Sequence, residues 1–135
     1  MVGVRTPQQL VGDEAEQAVA HRLAAAGWLI LGRHVRVGRG ELDLIALDPG
    51  PPPVLVVVEV RWRRSRTFGL PEDTFGGRKR DHLRRAVARL IAAGTLPDGS
   101  RLPALPFRVD LVAVEPPLRA GDPRRFRHHR SALED

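Results

Sequence analysis

Gly40-Glu41-Leu42-Asp43-Leu44-Ile45-Ala46-Leu47, followed after Asp48-Pro49-Gly50-Pro51-Pro52-Pro53 by Val54-Leu55-Val56-Val57-Val58-Glu59-Val60-Arg61, is the stretch that decides the fold. Branched and apolar residues dominate both runs, and the Pro/Gly segment between them cannot continue a ladder, so they read as two strands of a hairpin. Alternation puts Glu41 and Asp43 on one face of the first strand, and Glu59 and Arg61 on one face of the second. A register with Asp43 opposite Glu59 sets Glu41 opposite Arg61. Directly opposed carboxylates repel, so this register needs a cation between them or a pKa shift, and a divalent metal is the economical answer. For any single acid, a solvent-facing carboxylate or a pairing of Glu59 with Arg61 or Arg63 is the simpler reading. Glu59 tips the balance toward a site: it closes the apolar run Val54 to Val58, where an ionised carboxylate is costly without a partner.

Asp43, with Glu59-Val60-Arg61 at the end of an apolar strand, resembles the PD-(D/E)XK nuclease signature, with Arg61 where the pattern has Lys. Together, Arg33-His34-Val35-Arg36, Gly40 to Ala46 and Val58 to Arg61 are similar to the YraN-like family of small bacterial proteins, which is related by fold to the archaeal Holliday-junction resolvases. The similarity spans roughly Leu10 to Val114. It implies an α/β, restriction-endonuclease-like fold, a mixed β-sheet flanked by helices in the order αβββαβ. It also implies a metal-dependent DNA endonuclease, with branched or single-stranded DNA as the expected partner and a homodimer to suit a junction of two-fold symmetry. The metal ligands would be Asp43, Glu59 and the Val60 carbonyl, holding Mg²⁺ or Mn²⁺, both suited to oxygen donors. The catalytic set would be Glu16, Asp43, Glu59 and Arg61. The family carries a Gly-Glu pair in its first helix, and alignment through Leu23 and Gly27 puts Ala15-Glu16 there, with Glu14 the rival if the helix is shifted. His34 stands where the family commonly has Asn and is assigned no metal role. Arg61 stays protonated in proteins, so it can stabilise phosphate charge but cannot serve as a base. The alternative to an enzyme is therefore a catalytically inactive nucleic-acid-binding module on a nuclease scaffold.

Lys and Arg number 22 against 16 Asp and Glu, giving a formal net charge of +6, and Lys79 is the only Lys. That balance favours a polyanionic partner. The absence of Cys excludes disulfides and thiolate zinc sites. No apolar run suggests a membrane span, and no basic-then-apolar leader is present, so the expected location is the cytoplasm. One domain is expected over 1–135, with a core over about 7–114 and a basic arm over 115–135.

Met1 to Arg5 reads as a loose terminus. Thr6-Pro7-Gln8-Gln9 predicts a capped helix start, and Val11, Ala15, Ala18, Val19, Leu23 and Ala26 form a helical stripe that Gly27 can stop. Gly12 is a weak point inside it. A strand from Trp28 turns polar through Arg33 and Arg36 and reaches the hairpin by Gly38-Arg39-Gly40. Arg33, Arg36 and Arg39 either line a phosphate groove or are solvated on an edge. After Arg61, the arginines Arg63, Arg64 and Arg66 are candidate phosphate contacts, with Trp62 packed in the core and Phe68 packing a loop or stacking on a base. A second helix over about Arg78 to Ala93 buries Leu83, Ala86, Val87, Leu90 and Ile91 and presents Arg78, Lys79, Arg80, Arg84, Arg85 and Arg89. Lys79 joins the nucleic-acid-binding set. Thr95 to Pro106 reads as a loop free to move. Phe107 to Val114 alternates as a strand in which Asp110 pairs with Arg108, and Arg124 to Arg130 is a basic arm or edge strand.

Overall fold

The computed structural model describes residues 4–134. Its elements are α1 (Pro7–Ala25), β1 (Leu29–Val37), β2 (Gly40–Asp48), β3 (Val54–Trp62), a 3₁₀ turn at Pro71–Thr74, α2 (Gly77–Ala93), β4 (Phe107–Glu115) and β5 (Arg125–His129). The five strands lie in the order β1-β2-β3-β4-β5. Neighbours are antiparallel except β3 and β4, which run parallel and are joined across the sheet through α2. This is the expected mixed sheet between helices, extended by a fifth strand.

The helix boundaries follow from local chemistry. Thr6 Oγ1 accepts from the Gln9 N–H at 3.1 Å, and Gln9 Oε1 accepts from the Thr6 N–H at 2.8 Å, a reciprocal cap. Gly27 takes a φ of +93°, and Gly94 ends α2 with a φ of +68°. Of the terminus expected to be loose, Met1–Gly3 lie outside the described residues, and Arg5 is bound to Asp13 at 2.6 Å. In α1 the buried residues are Ala15, Val19, Ala20 and Leu23, while Val11 and Ala26 are exposed. In α2 the stripe is Leu83, Ala86, Val87 and Leu90, with Ile91 turned outward.

The β3 strand sends Val56, Val58 and Val60 toward α1, and Leu55 and Val57 toward α2. Both faces are covered, which is why the strand reads as a continuous apolar run. β2 is less regular. Leu42 and Ile45, three residues apart, both join the α2-side core, while Leu44 joins the α1 side. The two-residue alternation thus breaks around Asp43 and Leu44, and pairing with β3 ends at Leu44–Val58. Pairing with β1 continues to Val37–Gly40. The β1–β2 hairpin therefore peels away from β3, and the sheet forks at Asp43.

The opposite edge is closed by ion pairs. Arg127, on β5, reaches Glu72 at 2.6 and 2.7 Å and Glu115 at 2.6 Å. Much of the expected basic arm is thus an edge strand clasped to β4 and the 3₁₀ turn. Asp110 pairs with Arg108 at 2.8 Å, as expected, and also with His128 at 2.8 Å. The 95–106 segment is tied down by the Thr95–Arg101 bridge and by burial of Leu96. Among the described residues, no helix is long and apolar enough to cross a membrane.

Candidate functional site

The fork brings three carboxylates together from three elements: Glu16 from α1, Asp43 from β2 and Glu59 from β3, all lining a cleft of about 260 Å³. Asp43 Oδ2 accepts from the Val60 N–H at 2.9 Å, taking over the β3 edge where the ladder stops. The N–H and C=O of one strand residue project from the same edge, so the Val60 carbonyl faces the fork as well. The expected register is not formed beyond Leu44–Val58: Asp43 meets the Val60 N–H through its side chain instead of facing Glu59 across a ladder, and Glu41 pairs with Arg36 of β1 rather than with Arg61. Glu16, rather than Glu14, faces the fork; Glu14 is exposed and meets Arg124.

Burial first, and the Asp43 carboxylate second, push Glu16 up to about 8 and Glu59 up to about 7. Arg61 Nη2 at 3.0 Å and Lys79 Nζ at 3.4 Å both hold Glu59 Oε1. Glu59 is 2% exposed. Its Oε2 is buried with no partner, and so is the Nε–H of Arg61. An unmet acceptor and an unmet donor thus lie in one cleft. Such buried orphans are rare and point to a ligand. A cation fits the first and an anionic oxygen the second.

Lys79 takes a different place from the one expected. It comes from the first turn of α2 and lies at Glu59 in the centre of the site. No local signal joins a helix start to a strand end; the β3–α2–β4 crossover does so. His34, to which no metal role was assigned, lies beside the cleft. Its Nε2 is 2.9 Å from Glu16 Oε2 and its Nδ1 is 3.1 Å from Glu41 Oε1, and with Asp13 and Glu16 it offers ligand atoms all within 4.8 Å of one another. His34 sits at a φ of +49°, an uncommon conformation for a residue with a side chain. The cavity holding Asp13, His34 and Glu41 shares Gly12 and Glu16 with the cleft.

The remaining candidates divide. Arg33 lies near enough to Glu16 to favour its ionised form. Arg39 lines a separate cavity against α2. Arg36 is exposed on β1 and Arg64 follows β3 on the surface. Arg66 makes two bonds to Glu115, at 2.8 and 2.9 Å, so its guanidinium is committed inside the fold. Arg63 donates to the Phe68 carbonyl. Phe68 is 88% exposed rather than packed. Trp62 is half-buried on the α1 side, its Nε1 placed 3.2 Å from where a Cβ on Gly12 would lie. Gly12 is therefore a packing requirement that lets α1 approach the site.

A five-stranded mixed sheet flanked by two helices, forked over acids from α1, β2 and β3, defines a restriction-endonuclease-like α/β protein. The model described as "Uncharacterised protein family UPF0102" matches residues 15–114, and the chain belongs to that family, the YraN-like group it resembles in sequence. A UPF0102 protein of Symbiobacterium thermophilum is 44% identical over 106 residues, covering 78% of this chain and 82% of its own length. One from Roseiflexus castenholzii is 37% identical over 122 residues, 90% of each chain. The matched residues include Glu16, Asp43, Glu59, Arg61 and Lys79.

Proposed function

We propose that the chain is a metal-dependent endonuclease that hydrolyses DNA phosphodiesters, with branched or single-stranded DNA as substrate. Three buried side-chain atoms of this cleft have no hydrogen-bond partner among the described residues, Glu16 Oε2, Glu59 Oε2 and the Arg61 Nε–H, and the last two carry this reading. A metal-bound phosphate satisfies both at once. Asp43, Glu59 and the Val60 carbonyl would hold the cation, and an all-oxygen donor set fits Mg²⁺ or Mn²⁺. When bound, that cation supplies Lewis acidity toward the phosphate and a lowered pKa for a water.

The chain's own residues do the rest. Arg61 donates to a phosphate oxygen and stabilises its developing charge. Lys79, the chain's only Lys, puts a second cation beside Glu59 from α2, at the site the strand motif leaves to Arg61. Glu16 is the carboxylate of the cleft placed to take a proton from water, with His34 Nε2 2.9 Å from its Oε2. A binding module without catalysis is the second reading, favoured by Glu59 Oε1 being already held by two cations.

The test is incubation with labelled four-way junction, flap, single-stranded and duplex DNA in Mg²⁺, Mn²⁺ or EDTA, beside Glu59→Ala and Asp43→Asn prepared identically. Metal-dependent cleavage by the wild type and by neither variant is expected. Lys79→Gln should slow single-turnover cleavage by ~10²–10³-fold, the scale of one fixed contact to developing charge. Equal inertness of all proteins with retained DNA binding sinks the enzyme and leaves the module.

A further inference from the structure

The strongest unassigned feature is a cavity of about 600 Å³ between the β1–β2 turn and α2, lined by Gly38, Arg39, His82, Arg85 and Arg89. The arginines that hold the fold together, Arg66, Arg108 and Arg127, each meet a carboxylate, whereas Arg36, Arg64, Arg101 and Arg130 are exposed singly without one among the described residues. Here, among the described residues, none of Arg39, Arg85 and Arg89 has a carboxylate within ion-pair distance. His82, Arg85 and Arg89 stand three and four residues apart and share one face of α2, where like charges weaken a helix. The arrangement is nonetheless closely built. Gly38 has a φ of +57°, and a Cβ on it would overlap Arg89 Nη1. Gly40 likewise lets Ala86 of α2 close in, its own Cβ position lying 3.8 Å from that of Ala86. The guanidinium of Arg89 is thus seated on the turn, with no ion pair among the described residues.

The cavity is also connected to the carboxylate cleft. Thr74 and Lys79 line both the cleft and a hollow over the start of α2, and His82 lines both that hollow and the arginine cavity. From Lys79 to Arg89 the helix advances about 15 Å, which a strand covers in a few nucleotides.

We propose that Arg39, Arg85 and Arg89 form a binding site for a backbone phosphate of a nucleic-acid strand, the strand continuing across the start of α2 into the carboxylate cleft. Guanidinium forks bind phosphate oxygens in pairs, and an uncompensated cluster matches an anion brought from outside. The continuation into the cleft rests on the nuclease reading; the phosphate site itself does not.

The test is binding of a labelled single-stranded DNA oligonucleotide in EDTA, followed by fluorescence anisotropy across a salt series. Arg85→Gln/Arg89→Gln should weaken binding at least ~10-fold and make the log–log salt slope shallower by about 1.4, two contacts at ~0.7 each. Arg39→Gln alone should lower it by about 0.7. Arg101→Gln/Arg119→Gln removes the same charge from exposed positions outside the cavity and should leave the slope unchanged. Equal effects of the two double variants, with unchanged thermal midpoints, would overturn the site in favour of net charge. A preference for 5′-phosphorylated over unphosphorylated oligonucleotide that vanishes in Arg85→Gln/Arg89→Gln would overturn it in favour of a strand-end site. Because no cleavage occurs in EDTA, the two readings fail separately. The expected slopes with no nuclease activity keep the phosphate site and sink the enzyme, whereas cleavage with unaltered slopes does the reverse.

Discussion

Glu16 is half-buried and Glu115 buried, and the two acids respond to pH in opposite directions. Glu16 is raised from 4.5 to about 8 by burial and by Asp43. Its folded form therefore binds the proton more tightly than the unfolded chain does, and the stability this confers is complete below 4.5 and lost as pH rises through about 8. In EDTA, Glu16→Gln should match the wild type in acid and exceed it on the alkaline side by on the order of 1 kcal/mol, after allowance for partial solvent contact. Parallel thermal-midpoint curves for the two proteins across that range would sink the clustered-acid picture. Glu115 is held down to about 2, chiefly by its bond from Arg66, and Glu72 to about 2 by its bond from Arg127. Their contribution is present above 4.5 and lost as pH falls toward 2.

The elements that deliver these residues differ in how much of them can be read beforehand. The β2–β3 hairpin follows from two apolar runs and a Pro/Gly turn, both local, but its register is legible only as far as Leu44–Val58, because the fork beyond it depends on the Asp43 side chain taking the Val60 N–H. The first helix is equally legible, because its cap is a four-residue signal, Thr6 to Gln9. Lys79 and His34 were opaque for a different reason. Each reaches the site through a contact between distant elements, and a residue's spacing along its own element says nothing of that. Arg66 reads as a phosphate contact for the same reason: its carboxylate, Glu115, lies 49 residues away. Gly12→Leu should push α1 off Trp62, costing about 1–3 kcal/mol by overpacking and weakening Mn²⁺ binding, as read by melting and by metal titration. Arg127→Met should release β5 and strand Glu72 and Glu115, costing about 2 kcal/mol, less than a fully buried pair because Arg127 keeps solvent contact. A loss of hydrogen-exchange protection confined to β5 and the 3₁₀ turn is the expected signature, and unaltered protection there would refute the clasp.

Across the whole molecule, charge is divided by the sheet. Carboxylates of Glu72, Asp110 and Glu115 absorb the arginines around β4 and β5, so that side is internally neutralised. On the side of β1, β2 and α2, the acids converge at the fork while Arg39, Arg85 and Arg89 stand apart from them. Attraction within the chain could have joined these two sets, and the fold keeps them separate. That separation leaves one centre short of positive charge beside another short of negative charge, an arrangement suited to a metal-bound polyanion. The acidic centre draws on α1, β2, β3 and α2 together, so a cation bound there should tie four elements into one unit. Saturating Mn²⁺ should raise the wild-type melting midpoint, with about 2.7 kcal/mol of stabilisation when the free metal is 100-fold above its dissociation constant. EDTA should reverse the change, and Asp43→Asn should show none of it. The protection gained in hydrogen exchange should concentrate at Gly40 to Asp43, where β2 has left β3, and at the first turn of α2. A uniform gain over the whole sheet, or an equal gain in Asp43→Asn, would mean that the metal binds elsewhere and that the fork is not its site.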